Sequence, residues 1–251
     1  MVHIVGAGCG APDLITLRGK KYLEQADVII YAGSLVNREL LAFAGPDCEI
    51  HDSAKMTLEE IIDVIAAAER EGKTTVRLHT GDPSLYGAIG EQMRELDKLG
   101  IEYDITPGVS AFSGAAAALK AEYTLPDVSQ TVIISRAEGK TPVPEAESLR
   151  SLASHRATMV LFLSAGLAGK VSKELIEGGY PPETPAAIVY KVSWKDEKIC
   201  CCTVATLEET AANNNITKTA LIVVGEFLDS EFVRSHLYDP SFSTEFREAK
   251  Q

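Results

Sequence analysis

Three short stretches carry residue types from which a small-molecule site could be built. They are Val5-Gly6-Ala7-Gly8-Cys9-Gly10, Leu78-His79-Thr80-Gly81-Asp82-Pro83-Ser84-Leu85-Tyr86-Gly87 and Pro107-Gly108-Val109-Ser110-Ala111. Glycine at such turns lets the backbone approach a ligand, because no Cβ intervenes. A carboxylate at Asp82 can accept hydrogen bonds from amino or hydroxyl groups and complements a cationic ligand. Ser110 can cap a helix, and the small residues 114–118 after it either pack that helix closely on a sheet or leave room for a ligand. Each stretch also has a plainer reading. The first fits the G-x-G-x-x-G/A dinucleotide fingerprint, and Asp82 could merely cap a helix or open a type I turn with Pro83 in its second position.

The elements around these turns place them together. Strand-like runs at residues 2–5, 28–31, 49–51, 75–79 and 103–106 alternate with helical patterns, the clearest at 57–71. There Leu58, Ile61, Ile62 and Ile65 form a core-facing stripe, Thr57 and Glu60 form a capping box, and Gly72 offers a left-handed stop. A second helix at 89–99 ends at Gly100. Strands alternating with such helices imply parallel βαβ units. In an open parallel sheet the strand-to-helix turns line the carboxyl edge, where α/β proteins bind ligands.

The rhythm breaks at residues 119–127, which divides the chain into a first lobe at 1–118, a linker at 119–127 and a second lobe at 128–251. The second lobe has strand-like runs at 132–135, 159–163, 186–190, 198–203 and 220–225, with helical patterns near 145–152, 167–177 and 207–212. The turn Lys195-Asp196-Glu197 is too short for a parallel crossover, so its flanking strands form an antiparallel hairpin and the sheet is mixed. The polar end from Asp229 is expected to be partly ordered.

Composition narrows the function. The 251 residues carry a formal charge of −12, which argues against nucleic acid as partner. No apolar stretch is long enough for a membrane span, and the start lacks the basic region of a secretory signal. Cys200-Cys201-Cys202 are consecutive, so on a strand they point to opposite faces and cannot chelate metal as a C-x-x-C pair does. No metal site is expected, and the protein is expected in the cytoplasm.

The three turns, in this order, resemble those of the tetrapyrrole methylases, S-adenosylmethionine-dependent enzymes that methylate carbon on corrin and sirohaem precursors. The likeness extends to Leu17-Arg18-Gly19, to residues 158–163 and to Ala220-Leu221-Ile222-Val223-Val224-Gly225-Glu226. Tyr31-Ala32-Gly33-Ser34-Leu35-Val36 and the run HTGDPSLYGAIGEQ at 79–92 resemble the branch that methylates C-11 of precorrin-4 or its cobalt form. The resemblance implies a two-lobed α/β fold: a mostly parallel first sheet, a mixed second sheet, and the cofactor in a cleft between the lobes. It also implies a homodimer. It places S-adenosylmethionine at Gly81, Asp82, Leu85, Ser110 and Ala111, with Tyr86 and the backbone of Cys9 beside them, and at Leu163, Thr219 and Ala220 in the second lobe.

A substrate rich in carboxylates needs cations within an acidic chain. Arg38, Lys55 and Arg136 are the expected clamps, and His79 could face the pocket. Uroporphyrinogen methylases carry an aspartate after the tyrosine matching Tyr31, proposed there as proton acceptor. Ala32-Gly33-Ser34 replaces it here, so no general base is assigned. The rival readings are another precorrin position, a macromolecular substrate on the same fold, and a nicotinamide oxidoreductase. The last lacks a ribose-binding acid where the second strand ends, at Ile30-Tyr31-Ala32-Gly33.

Overall fold

A computed structural model describes residues 1–229, 231, 235 and 238–249. Two compact units make up the chain. One comprises Met1–Gly114 and Lys191–Glu197, the other Ala115–Tyr190 and the described residues from Lys198 onward.

The first unit is built from β1 (Val2–Gly6), α1 (Leu17–Gln25), β2 (Val28–Tyr31), β3 (Glu49–Asp52), α2 (Leu58–Arg70), β4 (Thr75–His79), α3 (Ile89–Leu99) and β5 (Tyr103–Thr106). Its strands pair in parallel in the order β3-β2-β4-β1-β5. Side chains alternate across the sheet. Val2, Ile4, Val28 and Ile30 meet Ile61, Ile62 and Ile65 of α2 and Leu96 of α3. Val5, Ile29, Tyr31, Val76 and Leu78 meet Leu23 of α1 on the other face. Coverage on both faces explains why the strands read as continuous apolar runs. β3 extends one residue past its expected end, to Asp52, which stays in register with Tyr31 of β2.

Helix α2 shows how closely local chemistry sets a boundary. Thr57 Oγ1 accepts from Glu60 N–H at 3.3 Å, and Glu60 Oε2 accepts from Thr57 N–H at 2.7 Å. Gly72 takes the left-handed φ of +69° expected of it just after the helix. Thr57→Ala is expected to cost about 1 kcal/mol. That should lower the melting temperature by about 2–4 °C, measurable by calorimetry.

The chain leaves the first unit within α4 (Ala111–Leu119). The second unit contains β6 (Val132–Arg136), α5 (Leu149–Ala153), β7 (Thr158–Phe162), α6 (Ala168–Gly178), β8 (Pro185–Tyr190), β9 (Lys198–Thr203), α7 (Leu207–Asn213) and β10 (Ala220–Val224). The order is β6-β7-β10-β8-β9. β6 and β7 are parallel, and the other pairs, including the β8–β9 hairpin, are antiparallel. Met159, Leu161, Ile188 and Ile222 pack against Val171 and Leu175 of α6 and Leu207 of α7. Cys200 and Cys202 lie against this core, whereas Cys201 is exposed.

Several expected bounds shift by a residue, and two of the differences in the second unit have a local cause. The helix expected at 145–152 is split, because Ser148 takes an extended backbone (φ −58°, ψ 146°) and caps α5 by accepting from Ser151 N–H. The strand expected at 159–163 stops at Phe162, because Leu163 turns into the left-handed region at φ 54°. The loop Lys191–Glu197 belongs with the first unit although the hairpin strands it joins belong to the second. Among the described residues no helix is long and apolar enough to cross a membrane. The expectation for the tail from residue 229 falls partly outside the described residues.

Candidate functional site

In the first unit the three turns pack backbone against backbone. Gly8 and Gly81 form an antiparallel bridge, with Gly81 N–H donating to Gly8 carbonyl at 2.9 Å and Gly8 N–H to Gly81 carbonyl at 3.2 Å. Both residues need positive φ, +80° and +58°. The approach of the third turn is closer still, since a Cβ on Gly108 would sit 2.1 Å from Gly81 carbonyl oxygen and 2.8 Å from Gly6 Cα. Gly6 and Gly108 are therefore required by the packing of the turns themselves, and Gly8 and Gly81 by their positive φ. The fit beside Gly81 is looser: a Cβ there would make ordinary contact with Ala111 N at 3.7 Å and Ser110 Cα at 3.8 Å.

Asp82 joins two of the turns. Its Oδ1 accepts from Ser84 N–H at 2.9 Å and from the Ser84 hydroxyl, while Oδ2 accepts from Gly108 N–H at 2.9 Å. Burial on its own would raise the pKa of this carboxyl. The Ser84 hydroxyl, Gly108 N–H and Ser84 N–H outweigh that and bring it below the usual carboxylate range. Asp82 is thus an anion at neutral pH, and Oδ2 keeps a lone pair for a further donor. The plain reading holds as well, because Leu85 N–H closes a turn onto Asp82 carbonyl at 3.2 Å. Tyr86 follows with φ 57° and an exposed ring, Leu85 is half-buried, and Ser110 is buried.

The first turn is held from one side by the loop 191–197. Ser193 Oγ accepts from Ala11 N–H at 2.9 Å and contacts Cys9 Sγ at 3.3 Å. Cys9 Sγ also lies 2.8 Å from where a Cβ on Gly114 would be. The thiol is a buried packing group.

His79 and Arg77 lie on one face of β4. His79 is 3% exposed, its Nε2 has no hydrogen-bond partner, and burial together with Arg77 lowers its pKa to about 3. It is a neutral imidazole under ordinary conditions. Arg77 donates through Nε to Gln92 Oε1 at 3.0 Å and through Nη1 to Ile30 carbonyl at 3.1 Å. Burial brings its pKa down to about 10.

Arg38 and Lys55 stand on the loops that follow β2 and β3. Arg38 Nη2 is 3.5 Å from Asp52 Oδ2, and its guanidinium carbon lies 5.8 Å from the centroid of the Tyr31 ring. Tyr31, Asp52 and Ser193 were not among the expected site residues. Tyr31 and Asp52 carry a readable signal, since polar groups at the carboxyl ends of adjacent parallel strands must lie side by side. Ser193 carries none.

In the second unit, Leu163 follows β7 directly, and Thr219 precedes Ala220, the first residue of β10. β7 and β10 are antiparallel, with Ile222 paired to Leu161, so the end of β7 and the start of β10 lie at one end of that sheet. Leu163 and Thr219 both have positive φ, 54° and 55°, and Leu163 is 68% exposed. Strained backbone of this kind gathers at functional sites. Arg136 is engaged elsewhere in the unit. Its guanidinium donates to the carbonyls of Ala137, Thr141 and Pro142. It lines a cavity of about 220 Å³ with Glu138, Glu145 and Glu174.

The profile of the tetrapyrrole (corrin/porphyrin) methylases matches residues 1–208. Cobalt-precorrin-4 C(11)-methyltransferase of Methanocaldococcus jannaschii is 57% identical over 249 residues, spanning 99% of this chain and 96% of that protein. The X-ray structure of a cobalamin biosynthetic enzyme, cobalt precorrin-4 methyltransferase CbiF, is 50% identical with a TM-score of 0.89 and covers 91% of this chain and 96% of its own. A uroporphyrin-III C-methyltransferase of Thermus thermophilus, complexed with S-adenosylhomocysteine, is 27% identical with a TM-score of 0.75, covering 90% and 98%.

Proposed function

The chain belongs to the tetrapyrrole methylases, and from that premise we propose that it transfers a methyl group from S-adenosylmethionine to C-11 of precorrin-4 or cobalt-precorrin-4, giving the corresponding precorrin-5 in cobalamin biosynthesis. The observation that carries this reading is the convergence of the three turns at Gly81 and Asp82, within a chain 57% identical to a cobalt-precorrin-4 C(11)-methyltransferase over nearly its whole length.

The residues present fit such a cofactor. Gly81 lets the backbone come close to a ligand, since no Cβ intervenes, and Asp82 offers a free lone pair on an anion. Ser110 and Ala111 adjoin Gly81. We assign cofactor binding to Gly81, Asp82, Leu85, Tyr86, Ser110, Ala111 and the backbone at Cys9, and in the second unit to Leu163, Thr219 and Ala220. Bound there, S-adenosylmethionine supplies an electrophilic methyl on a sulfonium sulfur.

The nucleophile is the substrate's own π-system, so the protein needs no covalent intermediate. Its residues hold the substrate carbon in line with the methyl and exclude water, and such positioning can be worth roughly 7–11 kcal/mol. Asp82 orients amino or hydroxyl groups, and its charge complements the positive sulfur. Arg38 and Lys55 are the proposed substrate contacts. Arg136 spends its donors on its own loop, and His79 lies beneath the surface, so neither carries this part of the reading. With it goes a cytoplasmic homodimer, supported by family membership and checked by light scattering.

The test is S-adenosylhomocysteine release in anaerobic mixtures of protein and S-adenosylmethionine with cobalt-precorrin-4 or metal-free precorrin-4. Release that depends on one of the tetrapyrroles supports the function. Release with neither, although cofactor binds, contradicts it.

A further inference from the structure

At the carboxyl ends of β2 and β3 the first unit builds a second polar constellation beside the turns. Asp52 is in register with Tyr31, and its Oδ2 accepts from the Tyr31 hydroxyl at 3.1 Å while lying 3.5 Å from Arg38 Nη2. Its Oδ1 accepts from Ala54 N–H at 3.0 Å. The cage is tight, because a Cβ on Gly33 would come within 3.2 Å of Oδ1 and 2.6 Å of Ala54 Cβ. The Ala54 N–H, the Tyr31 hydroxyl, and the charges of Arg38 and Lys55 hold this carboxyl below the usual range against a smaller effect of burial. Tyr31, buried beside it, is correspondingly harder to ionise. Asp52 therefore stays anionic and Tyr31 stays a donor.

Arg38 is fixed from three directions. Its guanidinium meets Asp52 at one nitrogen and the Tyr31 ring face beneath, while its backbone is anchored through Asn37, whose Nδ2 donates to Gly10 carbonyl at 3.0 Å. That bond ties the arginine to the first glycine-rich turn. Its side chain is nevertheless 70% exposed, and a guanidinium offers a fork that matches a carboxylate. The neighbouring charges are Lys55, in the turn after Asp52, and Glu39, which is paired with Lys195.

We propose that Tyr31 and Asp52 are a positioning pair that presents Arg38 as the recognition group for one peripheral carboxylate of the substrate. The proposal rests on the tetrapyrrole reading. A free surface arginine would lose much side-chain entropy on binding, and one already held loses less. A point-charge lysine at the same place would lack the fork. The bonds that hold Asp52 make it a poor base, which favours positioning over proton transfer.

The experiment is steady-state kinetics of the full chain with its tetrapyrrole, with S-adenosylhomocysteine affinity measured alongside. Arg38→Ala should raise KM for the tetrapyrrole by about tenfold or more, the effect of losing a charge-assisted pair, with cofactor affinity unchanged. Arg38→Lys should recover little of it. Asp52→Asn and Tyr31→Phe should each raise KM by a few fold, but neither should add to the effect of Arg38→Ala, because both act through that residue. An unchanged KM in Arg38→Ala would overturn the proposal. So would an Asp52→Asn variant that loses kcat at unchanged KM, which would make Asp52 a group acting on the reacting atoms. Wild-type protein that turns over neither tetrapyrrole would instead remove the proposed function, and this site with it.

Discussion

Asp82→Ala should weaken S-adenosylhomocysteine binding by about a hundredfold, equivalent to about 2.7 kcal/mol. Two effects add. The variant loses the anion that faces a ligand's donors, and it releases Gly108 N–H and the Ser84 donors from the carboxylate that joins the second and third turns. Hydrogen bonds to charged groups are worth about 1.5–3 kcal/mol each, so part of the loss is loosening of the turns and will also lower the melting temperature. Asp82→Asn keeps an acceptor for the Ser84 donors, but its amide nitrogen faces Gly108 N–H, so it too should lose both affinity and stability while the Ser84 turn persists. Thr57→Ala is the control, destabilised at a distance from the turns with affinity intact. Titration calorimetry on the four proteins reads the result directly. Wild-type affinity in Asp82→Ala would remove this residue from the cofactor site.

The second large effect is on acid stability. His79 has a folded pKa of about 3, against about 6.5 in the unfolded chain. The unfolded state thus takes up a proton that the folded state refuses. Stability from this group is complete above about pH 6.5 and is lost as the pH falls from there towards 3, by about 1.4 kcal/mol per pH unit. Carboxylates such as Asp82, whose folded pKa is depressed, add their own loss in the lower part of that range. The diagnostic is therefore a difference. His79→Gln, which cannot be protonated, should show a flatter decline of unfolding free energy in urea between pH 6.5 and 4.5 than the wild type. Parallel declines would mean that His79 becomes protonated in the folded state.

Much of the architecture could be read from sequence because local signals and tertiary packing agree. In α2 the capping box, the apolar stripe and Gly72 all set the same boundaries. The pairing of β8 with β9 followed from the length of their connection alone. Where a polar residue caps inside a helical pattern, as Ser148 does, or a leucine turns left-handed, as Leu163 does, composition gives no warning.

The candidate site was legible to the extent that it lies in continuous turns. Gly81, Asp82 and Ser110 could be named because glycine, acid and small residues after a strand have chemical consequences. What escaped are contacts made by residues far apart in sequence. Ser193 bonds to Ala11 across 182 residues. Arg77 is a buried charge inside β4, served by Gln92 and a carbonyl of β2. Asp52 became significant only once the parallel register placed it beside Tyr31.

The most direct test of the central claim is where the methyl group goes. Protein, S-adenosylmethionine labelled with ¹³C in its methyl, and cobalt-precorrin-4 or metal-free precorrin-4 are incubated anaerobically, and the product is examined by mass spectrometry and NMR. One added methyl whose carbon correlates with C-11 is the predicted result, and the faster substrate identifies the form the enzyme uses. A methyl at any other position, or no methylation of either tetrapyrrole by protein that binds the cofactor, would contradict it.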